Sequence, residues 1–430
     1  MWRVGGVVCH LLGESVSVLL QVLYYSSHIG VIQLCRLVHQ SSPGLINRSS
    51  RMVAIKGRKS SNKNPPILSH EFIIRNHADI VSCVAMVFVV GLMVQVTSPW
   101  AYTFIALHHN VSETAEPDAP WQPQKYTTGW KDACAVFFYF LITIVMHAVI
   151  QEYVLDKLSK RLHLSKIKLA KFNESSQLLV FYVLSAIWGI DIIIRDNLVL
   201  DISSYWLNYP SLMSFPLKLF FVGQLAYWLH CYPELYFQKI KRESIPKVVV
   251  EATLGFAFTL AGYLLNFQHF TIILLVLHFV GDALQHGARL IHIVYRREQT
   301  TKLAFGLANA VYIFSRILTI LCALLFYVYG LSQVESTLNI SAGVFNIPAI
   351  RFSAFGAVAL FQAYLMYAFS KRQIQRAREN GGPVVAKAKP KQQKPKKKEG
   401  KKSAASEDDD LPEVDQATKK NLRSRSVKAK

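Results

Sequence analysis

One apolar stretch of this sequence holds four residues able to do chemistry: His278, Asp282, His286 and Arg289. Their spacings of four, four and three place all of them on one stripe of a helix, each within reach of the next. An imidazole can exchange a proton near neutral pH, a carboxylate accepts hydrogen bonds, and a guanidinium clamps anions. Two readings of the stripe stand open. It is a site for a lipid head group, a proton or a polar segment, or it is a mutually satisfied Asp–His–Arg cluster tying helices together. Further ionisable groups, His147, Asp191, His230 and Arg316, fall in or near the ends of other apolar runs.

Signatures of other chemistries are missing. The sequence has no Walker A or GxGxxG fingerprint, no GxSxG elbow and no HExxH pair. His108-His109 stands apart from any carboxylate cluster. The six cysteines form no CxxC pair, and Cys83, Cys134, Cys231 and Cys322 sit in apolar runs, where a thiol packs as a small hydrophobe. Neither a metal nor another cofactor is expected, and no nucleotide site.

The elements that must position the stripe are membrane helices. Hydrophobic residues make up 52% of the 430 positions and charged residues 17%, and the charge is concentrated between long apolar blocks. About 20 apolar residues cross the hydrocarbon core. Eight stretches qualify: 80–97 (with a continuation to 107 past Pro99), 133–151, 178–194, 215–232, 248–267, 270–294, 303–331 and 347–369. Only Gln268 and His269 separate the fifth from the sixth. The expected fold is all-α, a polytopic transmembrane helix bundle of about eight spans.

Lys and Arg collect in alternate loops and so set orientation. One group comprises Lys56, Arg58, Lys59 and Lys63; the next runs from Lys157 to Lys171. Lys239, Lys241, Arg242 and Lys247 follow, then Arg296, Arg297 and Lys302, then Lys371, Arg372, Arg376 and Arg378. This side, with both termini, is expected in the cytosol. The intervening loops carry the glycosylation sequons Asn110-Val-Ser112 and Asn339-Ile-Ser341, on the other side, whereas Asn173-Glu-Ser175 lies in a basic loop and is expected to stay unmodified.

Residues 1–51 are read as an extended start ahead of a second initiator, Met52; their apolar stretch 15–37 also fits a cleaved signal or an extra span. The segment 155–171 alternates Leu155, Leu158 and Leu162 with basic residues, suiting a topology-setting loop, a helix on anionic lipid or a surface facing ribosomal RNA. Residues 380–430 form a basic tail with an acidic run at 407–410, expected to be disordered.

Several long strings carry a family resemblance: Pro65-Pro-Ile-Leu-Ser-His-Glu-Phe72, Asn76-His-Ala-Asp-Ile-Val-Ser-Cys-Val-Ala-Met-Val-Phe88, His147-Ala-Val-Ile-Gln-Glu-Tyr153, Lys171-Phe-Asn-Glu-Ser175, Gln224-Leu-Ala-Tyr-Trp-Leu-His230 and Pro233-Glu-Leu-Tyr-Phe-Gln238. From about Met52 to Arg378 the chain resembles the translocating chain-associated membrane protein (TRAM) family. The resemblance implies a non-enzymatic protein of the endoplasmic reticulum membrane beside a Sec61-type translocon, contacting nascent signal sequences and transmembrane segments, with ribosome and membrane lipids as further partners. It implies no specific nucleic acid. It also implies a TLC domain over 170–379, after a 1–64 cytosolic segment and two spans with a basic loop in 65–169. That domain is shared with ceramide synthases, whose paired catalytic histidines would fall where this chain reads Val248-Val-Val-Glu251. Loss of that pair argues against acyl transfer. The His278–Asp282 spacing is similar to their second polar motif, so a lipid-handling role is the alternative.

Overall fold

In a computed structural model, residues 69–111, 124–198, 202–238, 240, 242–295 and 297–381 are described. The N-terminal 68 residues, Ser112 and the basic tail lie outside them, and with them the readings of an extended start, of a signal or extra span, and of a disordered tail.

The chain folds into a helical bundle. In order come α1 (His70–Gly91), α2 (Ser98–Ile105), α3 (Asp132–Val149), α4 (Asp156–Leu162), α5 (Lys166–Arg195), a one-turn α6 (Ser204–Leu207), α7 (Phe215–Phe237), α8 (Ile245–Leu264), α9 (Gln268–Val294), α10 (Glu298–Ala323) and α11 (Pro348–Gly381). A π-helical turn, Ile150–Leu155, joins α3 to α4, and another, Leu324–Tyr329, extends α10. The chain divides into two compact units after Gln373; the described part of the second, 374–381, is the end of α11.

Among the described residues seven helical segments are long and apolar enough to cross a membrane: His70–Gly91, Asp132–Leu162, Lys166–Arg195, Arg242–Leu264, Gln268–Val294, Glu298–Gln333 and Pro348–Arg376. The remaining expected span, α7, has 23 residues but carries Lys218, Gln224, His230 and Glu234 on buried positions. It is walled by other helices, so its polar groups answer to protein partners and its mean hydropathy falls below that of its neighbours. The first expected span also differs. Its helix starts at His70, capped by Ser69 Oγ on the Phe72 amide (3.2 Å), and stops at Gly91; Pro99 then opens the separate α2 instead of continuing α1, because proline fits a first helical turn and not a helix interior.

The turn between α8 and α9 falls where the sequence was least explicit. Asn266 takes a left-handed φ of 57°, which asparagine tolerates better than β-branched residues. Its Nδ2 donates to Gly343 O (2.8 Å), and its Oδ1 accepts from Gln268 Nε2 (2.9 Å). Successive long helices thus run alternately between a basic end and an end bearing Asn110 and Asn339.

At the sequon end two short strand pairings, one between distant segments and one a hairpin, cap the bundle. Strands β1 (Lys125–Tyr126) and β2 (Met213–Ser214) pair antiparallel, as do β3 (Thr337–Asn339) and β4 (Val344–Asn346). Beneath the first pair, Lys218, 0% exposed, bonds Asp132 Oδ1 (2.8 Å), His108 O (2.6 Å) and Thr127 O (2.7 Å). Tyr263 OH donates to Asp132 Oδ2 (2.7 Å), tying α8 to the same point. This buried pair is expensive to desolvate, and the carbonyls on the ammonium and the Tyr263 hydroxyl on the carboxylate offset part of that cost.

Candidate functional site: a polar cleft along α9

Helices α5 and α10 pack closely along two flanks of α9. Helix α11 meets its neighbours through long side chains: Phe369 stacks on Tyr312 (4.9 Å between centroids), and Gln373 Nε2 reaches Asn309 Oδ1 (3.2 Å). The stripe of α9 faces the space between α8 and α11. Toward the sequon end that space is an apolar crevice lined by Phe258, Ala261, Leu265, Ala354, Ala357 and Val358.

The stripe residues share the face, and His278 Nδ1 lies 3.4 Å from Asp282 Oδ2 one turn on, but the shortest bond of that carboxylate runs to another helix. Asp282 Oδ2 accepts from Arg316 Nη2 on α10 at 2.6 Å, and Arg316 is 0% exposed. A guanidinium only donates. Its Nη1, 2.5 Å from His278 Nδ1, therefore fixes that nitrogen as the bare acceptor and puts the imidazole proton on Nε2. Tyr312 lies against the guanidinium, 4.4 Å from its ring centroid, and Gln362 of α11 accepts weakly at 3.4 Å. Arg316 is thus the keystone on the bundle side. His278 and Asp282 retain 18% and 21% accessibility, which opens them to the cleft.

Toward the basic end, Tyr182 of α5 lies between His286 (5.7 Å between centroids) and Glu251 of α8, to which its hydroxyl donates at 3.5 Å. His286 is buried and its Nδ1 has no partner. Lys247 and Arg372 are within electrostatic range of His286. Arg289, the last of the stripe, completes this charged mouth. Sequence reasoning missed Arg316 as the Asp282 partner and missed Tyr182 and Glu251 altogether. A single carboxylate in the apolar run 248–267 was the signal available for Glu251.

A second polar knot joins α3 to α7. His147 Nε2 lies 3.2 Å from Glu234 Oε1 and 3.0 Å from Gln238 Nε2, and its Nδ1 is 3.3 Å from His230 Nε2. Gln177 of α5 donates to Gln151 (3.0 Å) beside it. Helix α1 docks on the same end of α7 through His70 on Tyr236 OH (2.7 Å) and His77 stacked on Phe237 (4.2 Å). Among the described residues no group of three His, Cys, Asp or Glu is arranged to hold a metal ion.

At the sequon end Asn110 and Asn339 are both exposed. Asn339 Oδ1 accepts from Ser341 Oγ (2.7 Å) and the Ala342 amide (3.1 Å). His109, beneath the cap, has its pKa lowered, chiefly because burial disfavours the imidazolium; Asp132 opposes the shift and Lys218 adds to it.

The part of this multi-pass bundle that carries the α9 stripe is a TLC domain by sequence: the TLC domain family model matches residues 171–371. "Translocating chain-associated membrane protein 2" of Mus musculus is 40% identical over 319 residues, 74% of this chain and 85% of that protein; its Homo sapiens counterpart is 39% identical over the same length. The chain belongs to the translocating chain-associated membrane protein family.

Proposed function

We propose that this protein acts beside a Sec61-type translocon in the endoplasmic reticulum membrane, without catalysis, assisting translocation or insertion of nascent chains. The supporting observation is the cleft between α8 and α11, polar along α9 and apolar toward the sequon end. A charge at mid-bilayer costs about 2.5–3.5 kcal/mol on insertion scales. A marginally apolar segment resting in such a cleft avoids part of that cost before it commits to lipid. The basic end faces the cytosol with both termini, next to the ribosome, and Asn110 and Asn339 face the lumen.

Photocrosslinkers placed along a signal sequence in stalled nascent chains test this reading in microsomes. Adducts to α8, α9 or α11 are expected while the segment is early in insertion. Translocon adducts without any to this protein would refute it. A second reading, lipid handling, draws on the TLC match and on the apolar crevice that continues the polar cleft. Acyl transfer from acyl-CoA by the purified protein would establish its enzymatic form.

A further inference from the structure

The cleft between α8 and α11 changes character along its length. On α8, Lys247, Glu251, Leu254, Phe258 and Ala261 follow at steps of four and three, which puts them on one face of the helix. Val358, Phe361, Leu365 and Arg372 share a face of α11 in the same way. Phe258, Ala261 and Val358 line the crevice, and the Phe361 ring lies 6.2 Å from that of His278. The two faces thus border one cleft, apolar over most of its length and cationic at the basic end. Lys247, Arg289 and Arg372 all stand within electrostatic range of His286. Against them stand Glu251 and Asp282, and Asp282 is already matched by Arg316. The mouth of the cleft is therefore net positive.

We propose that the cleft seats one anionic phospholipid, its phosphate at the mouth formed by Lys247, Arg289 and Arg372 and an acyl chain along the apolar faces of α8 and α11. The seat stands whether or not nascent chains enter the cleft. Charge identifies the head group: Lys247 is the third residue of α8, at the level where lipid phosphates lie, and basic pockets between membrane helices hold anionic head groups. A zwitterionic lipid matches less well, because its ammonium adds positive charge where positive charge is already in surplus. Length identifies the tail. Phe258 lies eleven residues beyond Lys247, about 16 Å along α8 at 1.5 Å per residue. One leaflet of a hydrocarbon core about 30 Å thick is about 15 Å deep. An acyl chain that starts at the basic end therefore finishes at the crevice. Glu251, one turn inside Lys247, opposes the phosphate and leaves the seat weaker than its cations alone would make it.

The test uses the full-length protein in phosphatidylcholine nanodiscs doped with phosphatidic acid that carries a photoreactive group on its acyl chain, or with phosphatidylcholine carrying the same chain. Labelled peptides are located by mass spectrometry. Phosphatidic acid is expected to label α8 and α11 around the crevice well above phosphatidylcholine. Lys247 and Arg372 are both exposed, so their substitution spares the packed core. Lys247→Gln should lower the labelling about fivefold and Lys247→Gln/Arg372→Gln about thirtyfold, at about 1 kcal/mol for each basic residue near a membrane surface. Glu251→Gln should raise it, a gain that a misfolded variant cannot give. Equal labelling by the two lipids, no loss in the double variant, or a loss in Glu251→Gln overturns the proposal. Displacement of the labelling lipid by equimolar inorganic phosphate overturns it in favour of a soluble phosphate. Stalled chains with Glu ahead of an apolar segment, whose adducts fall in the double variant while lipid labelling does not, overturn it in favour of an acidic client. Adducts of wholly apolar segments in microsomes are a separate readout, so loss of the lipid seat leaves the nascent-chain reading standing.

Discussion

The Asp282–Arg316 pair lends itself to a double-mutant cycle. Replacing Asp282 by Leu leaves the Arg316 guanidinium at 0% exposure with only His278 and Gln362 as side-chain partners. Breaking a buried pair in this way typically costs about 3–5 kcal/mol, because an uncompensated charge is left inside. Arg316→Met strands Asp282 more mildly, since 21% of the carboxylate side chain is open to the cleft and to water. The double replacement Asp282→Leu/Arg316→Met removes both charges and is expected near wild-type stability, as apolar substitutes for buried pairs often are. Thermal unfolding in detergent, followed by tryptophan fluorescence, would give Asp282→Leu as the least stable, Arg316→Met intermediate and the double variant highest of the three. If the double variant falls to the sum of the two singles, the residues do not act as a pair and Arg316 is not the keystone. The same variant carries functional information. Should nascent-chain adducts disappear from the stable double variant, the polar stripe is needed for the client and not only for helix packing.

Lys218→Met strands Asp132 beneath the cap, with Gly129 N (2.9 Å) and Tyr263 OH as remaining donors; a loss of about 3–5 kcal/mol should appear as a lower unfolding temperature, partly restored by adding Asp132→Asn. His109 is held neutral by burial, its folded pKa below the unfolded one; its stabilisation is present above the unfolded value and is lost as pH falls toward the folded one. Acidification from about pH 7 to 5, spanning the ordinary histidine value, should therefore lower the unfolding temperature of wild type more than that of His109→Gln. Asn266→Val forces a β-branched residue into φ 57° and should cost about 1–2 kcal/mol, whereas Asn266→Gly loses only the side-chain bonds to Gly343 and Gln268; thermal unfolding ranks the two. Asn110→Gln and Asn339→Gln should each remove one endoglycosidase-sensitive band shift on gels if both asparagines face the lumen.

The helices and their alternation were legible because the bilayer imposes a length and an apolarity that survive in composition. What resisted was everything decided between helices. Periodicity places His278, Asp282, His286 and Arg289 on one face, and the structure keeps them there, but it cannot show that the partner of Asp282 stands on α10, 34 residues away. The same blindness affects α7. Read alone, its Lys218, His230 and Glu234 argue against a membrane helix. Each is answered by a group remote in sequence: Asp132, 86 positions away by number, His147 for the other two. A helix enclosed by protein is released from the lipid's demand for apolarity, so its composition stops reporting its depth. Glu251 is the reverse case. Its run is apolar and names no partner, yet the fold brings the Tyr182 hydroxyl of α5 to its carboxylate and sets Lys247 and Arg289 within electrostatic range.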